Sequence, residues 1–167
     1  MGKQDAYPSA YGGLNRISFN QDSSVSITPI NINYSNLSIL NNSLCLVFSG
    51  ITRKSNIVLE NQVKNIKLKK NISELHYLKS QVPDFVEILE KNFSLEKIGY
   101  FLNEAWKRKK QLTTGISTNH LDVIYKKILE SGALGAKLSG AGKGGFFLTV
   151  VPQHDMHDFI RLMSPLI

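Results

Sequence analysis

Four glycines within six positions, Gly140, Gly142, Gly144 and Gly145, stand between a stretch of small residues at 133–137 and an apolar run at 146–151. Without a Cβ, such a stretch bends freely and leaves bare amides that can wrap an anion. The residues on either side restrict its use. A dinucleotide-binding G-x-G-x-x-G turn leads from a strand into a helix, whereas Phe146 to Val151 reads as a second buried strand, stopped by Pro152. A Walker loop needs glycine where Lys137 stands and Ser or Thr where Gly144 stands. A protein kinase places H-R-D and D-F-G after its glycine loop, and only 22 residues follow Gly145. Two readings survive: an ordinary glycine-rich turn between strands, or an anion-binding turn of another kind.

The rest of the chain supplies the frame. Residues up to Gly12 suit a short helix, stopped by Gly12-Gly13. Alternation over Leu14 to Asn20 and Val25 to Ile30, across the turn-prone Asn20 to Ser24, predicts a hairpin. Leu44 to Ser49 is a continuous apolar run of strand length. Ser55 is placed to cap a helix, and a further helical stretch over Ser73 to Glu90 carries Pro83 as a break. Ser94-Leu-Glu-Lys97 has the form of a helix cap, followed by one apolar face of Leu95, Ile98, Phe101, Leu102, Ala105 and Trp106. Leu121 to Glu130 and His154 to Met163 complete the helices. Strands separated by helix pairs indicate an α+β layer with helices on one face.

Composition narrows the function classes. No apolar run reaches the roughly 20 residues of a membrane span, and the N-terminus has no basic-then-apolar signal, so the expected location is the cytoplasm. The single cysteine, Cys45, lies within an apolar run and reads as a small buried hydrophobe. It excludes an internal disulfide and a cysteine-based zinc cage. The formal net charge of +7 rests mostly on lysine, clustered at Lys64 to Lys70 and Lys107 to Lys110. That surplus favours an anionic partner, nucleic acid or a phosphorylated metabolite. Aromatics are not interleaved with the lysines as RNA-binding modules require, which disfavours nucleic acid. His154 and His157, spaced i and i+3, read as an exposed helix face rather than a metal site.

Gly2-Lys-Gln-Asp5, Gly50-Ile-Thr-Arg53, Trp106-Lys-Arg-Lys109 and Lys137-Leu-Ser-Gly-Ala-Gly-Lys-Gly-Gly145 occur in an order that resembles the GHMP small-molecule kinases, and among them the heptose phosphate kinases. The resemblance implies ATP-dependent phosphoryl transfer to a hydroxyl of a heptose 7-phosphate or related sugar, with Mg²⁺ in the complete enzyme. It implies a catalytic Asp5 facing the acceptor hydroxyl, with Lys3 beside it. Such a reaction asks mainly for positioning and charge compensation. Thr52, Arg53 and Lys109 become candidates for the sugar phosphate, and Gly140, Ala141 and Gly142 for the bare-amide wall of the same site. Lys143 stands where the heptose kinases more often have glycine.

The superfamily holds ATP through a Pro-x-x-x-Gly-Leu-Gly-Ser-Ser-Ala-like loop, and no segment of this sequence matches it. The expected organisation is therefore the C-terminal half of a kinase. Residues 1–31 would be the end of an N-terminal, ribosomal S5-like catalytic domain, and 32–167 a ferredoxin-like C-terminal domain, cut short at its end. Alone, the fragment is expected not to turn over ATP. Its expected partners are a missing N-terminal half or a second copy. The competing reading is a non-catalytic module that binds a sugar phosphate or a partner chain.

Overall fold

The computed structural model describes residues 6–52, 71–113 and 115–164. Helix α1 (Ala6–Tyr11) leads into an antiparallel hairpin of β1 (Asn15–Phe19) and β2 (Val25–Pro29), in which Ile17 faces Ile27 and Phe19 faces Val25. The Asp22 carboxylate accepts from both the N–H and the hydroxyl of Ser24, which closes the connection at the turn-prone residues.

Helix α2 (Tyr34–Ser43) comes next, an element that the sequence patterns do not predict. Its Asn- and Ser-rich composition hides it, because those residues are poor in helix interiors. Asn33 nevertheless makes a good start, since its side chain accepts the Asn36 N–H at 2.8 Å.

Three strands make the main sheet: β3 (Leu44–Phe48), β4 (Gly135–Leu138) and β5 (Phe146–Val150), ordered β3-β5-β4 and wholly antiparallel. Cross-strand register puts Val47, Phe147 and Leu138 side by side on one face. That face packs with Ala136 against Trp106, Ile116, Leu121, Ile128 and Phe159. Cys45 packs against this core, and burial pushes its thiol above the ordinary value, which agrees with the role of a small hydrophobe.

The helices are α3 (Ile72–Glu90), α4 (Leu95–Gln111), α5 (Asn119–Glu130) and, after a 3₁₀ turn at Gln153–Asp155, α6 (Met156–Met163). Ser94 and Thr118 cap α4 and α5 through Lys97 N–H and Leu121 N–H. Pro83 does not break α3: it lies on the exposed side, where water can satisfy the carbonyl it leaves unpaired. The helix expected after Ser55 lies outside the described residues.

Helix α4 covers the outer edge of β4. Gly99 and Gly135 touch, and a Cβ built on Gly135 would sit 1.9 Å from the Gly99 carbonyl oxygen. Asn103 then replaces a neighbouring strand. Its amide donates to the Leu134 carbonyl at 3.1 Å, and its Oδ1 accepts Ala136 N–H at 2.9 Å and the Tyr125 hydroxyl at 2.8 Å. An edge that would otherwise invite another chain is thereby sealed by a side chain. The same helix points its last turn at the glycine loop.

Candidate functional site

The glycines form the β4–β5 connection, residues 139–145. Gly140, Gly142, Gly144 and Gly145 all have positive φ, between 73° and 148°, a region that side-chain-bearing residues avoid. Two of them also sit against backbone. A Cβ on Gly144 would lie 2.7 Å from the Ile51 carbonyl oxygen, and one on Gly142 would lie 3.0 Å from Ile116. The glycine pattern is thus required twice, by conformation and by space.

Four backbone bonds set the loop in place. Ser139 N–H donates to Phe146 O at 2.8 Å and closes its base. Gly145 N–H donates to Ile51 O at 3.0 Å, and Ser49 N–H donates to Gly145 O at 2.9 Å, which ties the loop to the exit of β3. Lys143 N–H donates to Ile116 O at 2.8 Å, tying it to the segment that enters α5. Lys143 takes φ 64°, left-handed for a residue with a Cβ, and its side chain passes over Gly115. Glycine would adopt this conformation without the steric cost that a Cβ adds. The N–H groups of Gly142 and Gly144 bond to nothing among the described residues.

Of the residues predicted from sequence, Thr52 is exposed, one residue after the Ile51 anchor, and so stands beside the loop. Lys109, in the last turn of α4, donates to the carbonyl of Gly140 and lies 3.4 Å from that of Leu138. Gly140, Ala141 and Gly142 are the loop itself. Asp5, Lys3 and Arg53 lie outside the described residues.

Sequence reasoning misses the anchors Ile51 and Ile116, because a carbonyl oxygen carries no residue signature. It also misses His120, whose Nε2 sits 2.9 Å from the Ser49 carbonyl, at the same β3 exit.

The arrangement suits an anion. A concave turn of bare amides lies between the β3 exit and a lysine-rich helix end. The described residues fit a phosphate but not Mg²⁺, which takes carboxylates together with phosphate oxygens. Asp122, in the first turn of α5, is already engaged by Lys110 at 3.1 Å and by the Ser117 hydroxyl at 2.9 Å. No group of three or more His, Cys, Asp and Glu gathers among the described residues. A groove of about 500 Å³ opens beside Ile88 and Phe101, but Asp84, Glu87 and Glu96 outnumber its one cation, Lys97, which gives it the wrong net sign for phosphate.

Residues 87–161, which include the whole glycine loop, match the family model described as GHMP kinases C terminal. The fold is that of the GHMP kinases. A curated relative, the D-glycero-alpha-D-manno-heptose 7-phosphate kinase of Campylobacter jejuni, is 28% identical over 164 residues, covering 97% of this chain and 48% of that protein. The chain therefore spans about half the length of the relative it matches. Among solved structures, a D-glycero-D-manno-heptose 1-phosphate kinase from Bacteroides thetaiotaomicron superposes with a TM-score of 0.70 at 25% identity, covering 99% of this chain and 43% of that one. A mevalonate kinase from L. major, solved with R-mevalonate, superposes with a TM-score of 0.74 at 23% identity, covering 96% of this chain and 47% of that one. The glycine loop is thus the β4–β5 turn within the stretch that matches the GHMP kinases C terminal model, and the fold around it is the one seen in those solved kinases. No helix among the described residues is long and apolar enough to cross a membrane.

Proposed function

We propose that this chain is the C-terminal portion of an ATP-dependent sugar kinase, one that transfers the γ-phosphoryl group of ATP to a hydroxyl of a heptose 7-phosphate or related sugar. The observation that carries the reading is the placement of the bare-amide loop against the β3 exit at Ile51, with Thr52 next in the chain. The similarity to a heptose 7-phosphate kinase over 97% of this chain supports the choice of sugar. In this reading Thr52, Arg53 and the loop residues Gly140, Ala141 and Gly142 form the sugar-phosphate seat, with Lys109 bound to the loop's carbonyls. Asp5 orients the acceptor hydroxyl, helped by Lys3. Residues 1–31 belong to a catalytic N-terminal domain and 32–167 to the C-terminal one. ATP and Mg²⁺ are held by residues of another segment, so the 1–167 polypeptide alone does not turn over. The site is cytoplasmic.

The test is a titration of ¹⁵N-labelled 1–167 with D-glycero-D-manno-heptose 7-phosphate, with unphosphorylated mannose as control. The Gly142 and Gly144 amide signals should move with the phosphorylated sugar alone. Equal shifts with both sugars, or none with either, would sink the reading. Steady-state phosphorylation by isolated 1–167 would refute its dependence on another segment.

A further inference from the structure

We infer that Lys109 is a positioning residue, which holds the glycine loop open to an anion from behind rather than contacting the anion itself. The inference rests on the phosphate reading of the loop. It starts from the outer edge of β4, where α4 supplies what a neighbouring strand would. Asn103 takes the Leu134 carbonyl and the Ala136 N–H. Two turns further along the same helix, Lys109 takes the Leu138 and Gly140 carbonyls. One helix therefore caps a continuous run of outward-facing backbone from the strand into the loop.

The peptide plane turns this into a statement about the loop's inner side. In a trans peptide the C=O and the following N–H point in opposite directions. With the Leu138 carbonyl turned to the ammonium, Ser139 N–H is aimed the other way, and it does donate inward, to Phe146 O. With the Gly140 carbonyl turned likewise, Ala141 N–H is aimed away from Lys109. A cation behind the loop thus sorts its dipoles, carbonyls to the back and amides to the front.

Glycine makes the sorting necessary. Four glycines leave the loop many conformations, and those with carbonyls facing inward would repel a phosphate. The far arm is fixed by Ile51 and Ile116, and the near arm, 138–140, by Lys109. Helix α4 gives Lys109 a rigid base, because the Gly99–Gly135 contact and the Asn103 bonds seat the helix on the sheet.

The experiment compares wild-type 1–167 with Lys109→Met and Lys109→Arg by amide hydrogen exchange without ligand, then by titration with inorganic phosphate and heptose 7-phosphate. In the methionine variant, exchange at Ser139, whose N–H donates inward to Phe146 O from the near arm, should accelerate about tenfold or more, the effect of losing a hydrogen bond to a charged group. Ala136 should stay protected, which shows the fold intact. Phosphate-induced shifts at Gly142 and Gly144 should weaken in parallel, and arginine should restore both. Lost phosphate response with unchanged exchange would make Lys109 a direct ligand and overturn the inference, as would a methionine variant unchanged in both. If wild type responds to neither phosphate, the phosphate reading fails, and unchanged or accelerated exchange still decides whether Lys109 orders the loop.

Discussion

The amino-terminal hairpin carries its apolar residues in alternation and the main sheet carries them in near-continuous runs, and the two bury them to opposite degrees. In α1 no residue is buried, and Tyr11 and Phe19 remain 64% and 47% exposed, although Tyr7 stacks on Tyr11 and meets Phe19 edge-on. At the main sheet, Phe147 of β5 and Trp106 of α4 are fully buried and meet edge-to-face at 5.8 Å. A two-stranded sheet has one apolar face and nothing of its own to set against it, so it is marginal unless something else covers it. A three-stranded sheet with helices on one face closes its own core. Apolar patterning therefore identifies strands, but only the third dimension tells which of them carry stability.

Truncation separates the two regions most sharply. Trp106→Ala should cost about 3–5 kcal/mol, the usual range for emptying a large aromatic site in a core. Phe19→Ala should cost less than about 1 kcal/mol, as an exposed position does. Urea unfolding of both variants measures this, and equal losses would show that the hairpin shares the main core. Native-state exchange sharpens the contrast, with the Ser18 and Ser26 amides, a hydrogen-bonded pair of the hairpin ladder, opening at far lower free energy than those of Phe147 and Leu148.

Glycine substitutions carry the comparison to the backbone. At Gly135 a Cβ would overlap the Gly99 carbonyl, and the two glycines are what let α4 lie against β4. Gly135→Ala should cost about 3 kcal/mol through forced separation of helix and strand. Gly12 meets nothing within 4 Å, and only its φ of 64° opposes a side chain, so Gly12→Ala should cost about 1 kcal/mol. Melting both variants checks the ratio, and parity between them would mean that conformation, not space, governs at both sites.

The contrast also marks where sequence reading succeeds. The hairpin, the buried strand at Leu44–Phe48, helix α4 with its Ser94 cap and the body of helix α5 derive from alternation, apolar runs, a cap and helical periodicity, all of which are local. Helix α2 does not, because its Asn- and Ser-rich body argues against helix. Pro83 misleads for the opposite reason: a strong local signal is overridden when the helix turns that residue to solvent. The loop is legible as glycine. Its anchors are not, since Ile51 and Ile116 act through carbonyls, and Gly99 and Gly135 pair across a distance no periodicity reports.

Asn103 tests the sealed edge of β4, which the hairpin lacks. Asn103→Ala removes an acceptor for Ala136 N–H and Tyr125 O–H and a donor to Leu134 O. It should cost about 1–3 kcal/mol, because buried partners are left unpaired, and should raise exchange at Ala136 specifically. A loss confined to side-chain packing, with Ala136 still protected, would show that α4 holds the edge without the amide.

Lys137 gives the smallest effect and the one with a sign to check. It lies in β4 opposite Leu148, and burial holds its ammonium below the ordinary lysine value of 10.5. Above pH 10.5 both folded and unfolded chains carry it neutral, and burial exacts nothing. As pH falls through the window between 10.5 and the lower folded value, the unfolded chain takes up the proton first, so stability declines. Below the folded value both states are charged and the penalty stays constant. Lys137→Met should therefore be more stable than wild type at neutral pH by about 1 kcal/mol, and the gap should close as pH rises past 10.5. A Lys137→Met difference that stays flat with pH would mean that the lysine keeps its head in water, and that this face of the main sheet is as open as the hairpin.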